Sequence, residues 1–169
     1  YSINKIKSLF KTNKNIVLDA GAISNFKGRL NTLKNIIYGK NVVITPHEGE
    51  LRSILPNLKG NCIDKALKAA SELNCIVVLK GATTVIASPD NKAIVNCAGA
   101  KWLATAGSGD VLAGIICGTL SNKMDSFLAS AFSVWMHSEI GNYLGPGLVA
   151  EDIPENMNLI FKKLLKANI

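Results

Sequence analysis

Arginine is nearly absent from this chain: of nineteen basic residues only Arg29 and Arg52 carry a guanidinium, and the rest are lysine. Bidentate reading of base edges and phosphates favours the planar guanidinium. Seven of the lysines also fall at the two ends (Lys5, Lys7, Lys11, Lys14, Lys162, Lys163 and Lys166). The net charge of +7 is therefore expected to be a solvated lysine face and not a nucleic-acid surface, with small anionic ligands left open. Long apolar runs are missing too. Stretches such as Ile76-Val77-Val78-Leu79 fall far short of the roughly 20 residues needed to span a bilayer, so no membrane partner is expected. The four cysteines, Cys62, Cys75, Cys97 and Cys117, show no CxxC spacing, which argues against zinc and against a disulfide framework. Cys75 and Cys117 abut apolar patterns and are expected to be small buried hydrophobes, as suits a reducing compartment. Lys5 to Lys14 interrupt any signal-peptide pattern, so the expected location is cytoplasmic. The chain begins with Tyr1 and not Met, so something upstream is expected to be missing. Charged residues make up 18% against about 25% in an average domain, and hydrophobic residues 48%, which excludes a disordered tail. At roughly 150 residues per domain, residues 1–169 are expected to form a single domain.

What is there is an alternation of short aliphatic runs with helical periodicities. Ile3, Ile6, Leu9 and Phe10 recur at helical spacing before the buried strand Ile16-Val17-Leu18. Leu30, Leu33, Ile36 and Ile37 predict a second helix, closed by Gly39 ahead of the strand Val42-Val43-Ile44. Helices follow over His47 to Leu55 and from Ile63 to Leu73, then the strand Cys75 to Leu79. Thr84 to Ala87 and Ala93 to Asn96 flank the turn Ser88-Pro89-Asp90-Asn91-Lys92 and read as a hairpin. Three further helices are predicted, to about Leu120, from about Asp125 to Leu144, and from about Glu151 to Lys166. The pattern implies a three-layer α/β/α domain with a mostly parallel sheet and an appended β-hairpin. Ligands in such sheets collect beyond the carboxyl ends of the strands, which here carry Asp19, Thr45-Pro46-His47-Glu48-Gly49-Glu50 and Lys80-Gly81.

The sharpest chemical signal is Ala106-Gly107-Ser108-Gly109-Asp110, placed immediately before a helix. Two glycines let the backbone approach a ligand, and the free N–H groups of a helix start point at the same spot, which together make an anion hole of Gly107, Ser108, Gly109 and Asp110. A carboxylate there can take a proton from a hydroxyl attacking phosphorus; Asp110 reads equally well as a first-turn acid. The dinucleotide fingerprint would need glycine where Leu112 stands, and no GxxxxGK[ST] occurs. Gly114 and Gly118, four apart, suggest close packing. His47 at a strand end reads either as a structural residue or as a ligand contact. No second histidine lies near it to make a metal site, and His137 falls in a helical pattern. Lys80 and Asp19, both at strand ends, carry the same ambiguity. Trp102 and Trp135 read as packing residues.

Four segments in this order, Val17-Leu18-Asp19-Ala20-Gly21-Ala22, Ile44-Thr45-Pro46-His47-Glu48-Gly49-Glu50, Val77-Val78-Leu79-Lys80-Gly81-Ala82-Thr83-Thr84-Val85-Ile86 and Leu103-Ala104-Thr105-Ala106-Gly107-Ser108-Gly109-Asp110-Val111-Leu112-Ala113-Gly114, resemble the ADP-dependent NAD(P)H-hydrate dehydratase family, a carbohydrate-kinase-like branch of the ribokinase-like fold. The resemblance runs from about Ile16 to Asp152. It implies repair of NADH or NADPH hydrated on the nicotinamide ring, with ADP (or ATP) as phosphoryl donor and AMP and phosphate as products. Asp110 would then be the catalytic acid-base that activates the ring hydroxyl and touches the substrate. By the same match His47 contacts the hydrate, Lys80, Gly81, Ala82, Thr83, Thr84 and Gly109 contact the adenine nucleotide, and Mg²⁺ arrives with the phosphates. A homo-oligomer is also implied.

Three departures stand out. Gly21 replaces the second acid of the family's Asp-Ala-Asp motif, Asn96-Cys97-Ala98-Gly99-Ala100-Lys101-Trp102 replaces Asn-Pro-Thr-Gly-Asn-Pro-Gly, and Glu48 replaces a proline. The family's domain is longer, and what this chain lacks matches its N-terminal portion, including the early strands and a Gly-Pro-Gly loop. The sheet is therefore expected to expose an edge, with the missing portion supplied by a separate chain, removed, or decayed in the gene. Two other readings stay open: a small-molecule kinase of the same fold, and a nucleotide-binding remnant without turnover.

Overall fold

Short runs of β-branched and aliphatic residues form β1 (Ile16–Leu18), β2 (Val42–Ile44) and β3 (Ile76–Leu79) in a computed structural model that describes residues 3–167. β1 pairs with β2 and β2 with β3, both parallel. Every residue of β2 and β3 is buried, as strands covered on both faces require. β4 (Thr84–Ala87) and β5 (Ala93–Asn96) form the predicted hairpin, in which β4 runs antiparallel both to β3 and to β5, and complete the order β1-β2-β3-β4-β5.

Side chains alternate across this sheet. Val42, Ile44, Val77, Leu79, Val85 and Ala87 enter one apolar cluster, while Val43, Ile76, Val78 and Ile86 enter another on the opposite face. The first face is covered by α3 (Leu30–Ile37) and α5 (Cys62–Leu73), the second by α6 (Ser108–Ser121) and α7 (Ser126–Leu144). α1 (Ile3–Leu9) packs on the first cluster through Ile6. α5 starts in a capping box of Asn61 and Asp64 and stops at Asn74 in the left-handed region.

The helix predicted over Glu151 to Lys166 is two helices, Asp152–Glu155 and Met157–Lys166. Asn156 separates them: its side-chain Nδ2 donates to the Asp152 carbonyl at 2.8 Å, so the side chain competes for a backbone acceptor of the first helix. Two other expectations change. Cys75 is buried, and burial pushes its thiol up to about 12, but Cys117 is exposed. Gly114 and Gly118 face open space, and no described residue would lie within 4 Å of a Cβ at either. The reason is periodicity: α6 buries Leu112, Ile115, Ile116 and Leu120, which turns Gly114, Cys117 and Gly118 to the other side.

β1 forms one edge of the sheet. The Ile16 N–H donates to Asn41 and the Leu18 carbonyl accepts from Thr45, so the N–H and C=O of Val17 between them face away from β2. After β1 the chain turns sharply into α2 (Gly21–Ser24) through Ala20, at φ 46° and ψ −122°. A side chain is strained there, at a cost of order 1–3 kcal/mol. Ala20→Gly is expected to stabilise the fold by about 1 kcal/mol, the relief of strain exceeding the extra chain entropy of glycine. An unchanged or lower Tm would show that the turn stores no strain. No helix among the described residues is long and apolar enough to cross a membrane.

Candidate functional site

The parallel order of β1, β2 and β3 sets their carboxyl ends side by side, and each end delivers one polar residue. Asp19 follows β1, His47 follows β2, and Lys80 follows β3. Lys80 Nζ donates to Asp19 Oδ1 at 2.6 Å, with the two side chains only 21% and 12% exposed. The Lys80 N–H donates to the Pro46 carbonyl at 2.8 Å, which extends the β2–β3 pairing to the residues of the site. His47 caps α4 (Glu48–Ile54): its Nδ1 accepts from the N–H groups of Gly49 at 3.0 Å and Glu50 at 3.2 Å, while Glu50 accepts from the His47 N–H. An Nδ1 that accepts must leave the proton on Nε2, and in that ring, 61% exposed, Nε2 lies 3.7 Å from Glu50 Oε2. A Cβ at Gly49 would come within 2.9 Å of His47 Cε1, so glycine at this position leaves the imidazole its place.

Gly107 opens α6 at φ 85°, a conformation that favours glycine. The first helical bond of α6 runs from Val111 N–H to the Gly107 carbonyl. The N–H groups of Gly109 and Asp110, in the turn before it, have no acceptor among the described residues, as helix starts dictate. Ser108 differs from its neighbours in the predicted hole. Its hydroxyl donates to the Leu103 carbonyl at 2.6 Å and fastens the 3-10 turn Lys101–Leu103 to the helix. A Cβ at Gly109 would lie 3.3 Å from Lys80 Nζ, so the ammonium stands directly over the start of α6. Orphan N–H groups, the positive end of the helix dipole and a lysine thus converge on one point, which is suited to a phosphate. Asp110 is exposed in the first turn of the helix.

Beside this point lies a cleft of about 510 Å³. Lys80, Gly81, Ala82, Thr84 and Gly109 line it, whereas Thr83, His47 and Asp110 lie outside its wall. The loop after β5 supplies Gly99, Ala100 and Lys101, and the helices supply Leu112, Val134, His137 and Ser138. Gly99 is pressed against the loop after β3, since a Cβ there would meet the Ala82 carbonyl at 2.8 Å. The Lys101 ammonium lies 4.4 Å from the centre of the Trp102 ring, a cation–π contact, while Trp135 packs against Phe132. His137 is buried, with Nε2 3.0 Å from the Ser108 carbonyl, and burial pushes its pKa down to about 4 despite that bond. The 99–101 contribution agrees with the family resemblance, which puts that loop beside the site, whereas Val134, His137 and Ser138 of α7 carried no site signal in the sequence. His137 sits in an apolar helical pattern, and nothing in its spacing from Ser108 shows that they meet. Among the described residues no group of three or more His, Cys, Asp or Glu side chains is placed to hold a metal ion.

A phosphate point joined to a largely apolar cleft suits a nucleotide, and known proteins agree in kind. Residues 3–157 match the family model described as NAD(P)H-hydrate dehydratase. The ADP-dependent (S)-NAD(P)H-hydrate dehydratase of Xanthomonas campestris pv. campestris is 34% identical over 159 residues, 88% of this chain and 52% of that protein. The fold is similar to the crystal structure of the ADP/ATP-dependent NAD(P)H-hydrate dehydratase of Bacillus subtilis co-crystallised with ATP/Mg²⁺. That likeness has a TM-score of 0.79 and 27% identity, and covers 94% of this chain and 58% of that one. A ribokinase-like superfamily protein of Enterococcus faecalis aligns with a TM-score of 0.74 and 25% identity over 93% of this chain and 58% of its own. The chain spans about half the length of the curated relatives it matches. With the match covering nearly all of its residues, the chain belongs to the NAD(P)H-hydrate dehydratase family and has its ribokinase-like fold.

Proposed function

We propose that this chain forms the nucleotide-binding and phosphoryl-transfer part of an ADP-dependent NAD(P)H-hydrate dehydratase. The observation that carries the reading is the meeting of Lys80 with the first turn of α6, at the mouth of a cleft large enough for a nucleoside. The phosphates of ADP would lie against Lys80 and the N–H groups of Gly109 and Asp110, with Gly81, Ala82, Thr83 and Thr84 along the nucleotide. The Lys80 ammonium is already held by Asp19, so charge complementary to the phosphate is in place before the ligand arrives. His47, with its ring exposed beside the Glu50 carboxylate, would face the hydrated ring.

Asp110 is the acid-base group in this scheme. Its carboxylate takes the proton of the ring hydroxyl as that oxygen bonds to the β-phosphorus of ADP; the bond to the bridging oxygen breaks and AMP leaves. Expulsion of the new phosphate ester, driven by the ring nitrogen's lone pair and followed by loss of a ring proton, restores the dihydropyridine. The Gly109 and Asp110 N–H groups stabilise charge on the transferring phosphoryl oxygens. Magnesium usually binds one or two carboxylates together with substrate phosphates. With no group of three or more His, Cys, Asp or Glu side chains placed to hold an ion among the described residues, the residues here fit an ion carried in by the phosphates, which would neutralise phosphate charge when bound.

Residues 1–169 act as one domain in this reading, equivalent to the C-terminal portion of the family's domain. The open edge at Val17 and the uncovered Gly114, Cys117 and Gly118 are features suited to receive the remainder, supplied as a separate chain, or to meet a neighbouring copy in a homo-oligomer.

The test is phosphate release from ADP and Mg²⁺ with NADH hydrate, following NADH recovery by absorbance in the same cuvette. Equal rates of phosphate and NADH formation are expected, on this chain alone or with the missing portion added. Phosphate transfer to a hydroxymethyl or sugar acceptor in place of NADH recovery would give the kinase reading. Nucleotide binding without phosphate release in both conditions would make the chain a remnant.

A further inference from the structure

His137 has a nitrogen to spare. A carbonyl oxygen accepts, so the 3.0 Å contact with Ser108 requires the proton on Nε2. The ring is kept neutral by burial, so Nδ1 carries a lone pair and no proton. That lone pair has no hydrogen-bond partner among the described residues. Yet no buried side-chain nitrogen or oxygen among the described residues is left unpartnered. Nδ1 is therefore reached from the space beside it, and His137 lines the 510 Å³ cleft.

Around it the wall is apolar, with Ala100, Leu103, Leu112 and Val134. Ser138, the next residue, also lines the cleft, and its Oγ accepts from Asn96 Nδ2 at 2.7 Å. A cleft with an apolar wall and a fixed acceptor selects a flat, mostly apolar body that offers a donor.

From this geometry we infer that His137 is a specificity-determining residue, whose Nδ1 accepts a hydrogen bond from the nucleoside part of the nucleotide. The inference rests on the nucleotide reading of the cleft. Two groups of an adenine nucleotide have the required chemistry, the 6-amino group of the base and a ribose hydroxyl. A phosphate does not, because its oxygens would meet the lone pair. The Nε2–H bond fixes the ring's tautomer and orientation through the backbone of Ser108, so the acceptor is aimed before the ligand binds.

The experiment is calorimetric titration of the protein with ADP, with IDP, whose base carries an oxygen in place of the amino group, and with 2′-deoxy-ADP and 3′-deoxy-ADP. A site built around a buried acceptor rejects an analogue lacking the donor, by about tenfold or more. Weaker binding of IDP alone assigns the base, and weaker binding of one deoxy compound alone assigns the ribose. The same titrations are made on His137→Gln, which keeps a donor and an acceptor, and on His137→Phe, which keeps the bulk and loses both. Discrimination is expected to survive in His137→Gln and to vanish in His137→Phe, while ADP in the latter falls to the level of the rejected analogue. A structural role alone would weaken every nucleotide by the same factor. That result, or equal wild-type affinities for all four nucleotides, overturns the inference and leaves the nucleotide reading standing. Binding of none of the four removes both.

Discussion

Asp110→Asn is expected to lower turnover by about three orders of magnitude, within the range that a positioned general base contributes. ADP affinity should stay within a few-fold. The asparagine is nearly isosteric, and the backbone N–H groups of Gly109 and Asp110 that are proposed to receive the phosphate are untouched by the change. Asp110 is exposed and no ion pair or hydrogen bond of its side chain is formed among the described residues, so little stability rests on it. The loss would therefore appear in kcat and not in Tm. Single-turnover phosphate release, paired with calorimetric ADP binding, measures both. Unchanged turnover would reduce Asp110 to a first-turn acid of α6 and remove it from the mechanism.

The second large effect is expected at Lys80. Its ammonium is held by Asp19 at 2.6 Å and stands over the start of α6, where the phosphate is proposed to lie. Lys80→Ala removes a charge-assisted contact to phosphate, worth about 1.5–3 kcal/mol, and so lowers ADP affinity roughly ten- to hundredfold. It also strands the Asp19 carboxylate, which is 12% exposed. Breaking a fully buried pair costs about 3–5 kcal/mol, and this one, with water still reaching the lysine, is expected to cost less. The two consequences separate in the double variant Asp19→Asn/Lys80→Ala, where no charge is left unpaired. Stability by urea unfolding should then largely return while ADP affinity stays low. If the single variant binds ADP as well as the parent, Lys80 is a strand-end residue that only holds Asp19.

Much of this site was legible before the fold. The strands Val42-Val43-Ile44 and Ile76 to Leu79 announce themselves because a strand buried on both faces must be aliphatic throughout. The Gly107-Ser108-Gly109-Asp110 element is legible because a left-handed glycine and a helix start are both local properties of the chain. Gly114 and Gly118 show the limit of local reasoning. Their spacing suggests packing, yet which side of α6 meets the sheet is set by Leu112, Ile116 and Leu120 together, and the glycines fall outside. Asn156 is a case where one side chain, bonding back to Asp152, divides an otherwise continuous helical periodicity.

By itself, the sequence determined the alternation of strand and helix, the glycine-led start of α6 and the family resemblance. All three are written in spacings of two to five residues along the chain. Only the tertiary structure decided that Lys80 reaches Asp19 across 61 residues, that Gly99 presses on the Ala82 carbonyl, and that His137 bonds Ser108 across 29 residues. Those contacts exist because the parallel register of β1, β2 and β3 aligns their carboxyl ends, and because α6 and α7 share one face of the sheet. Register and face are properties of the packed sheet as a whole, carried by no single residue.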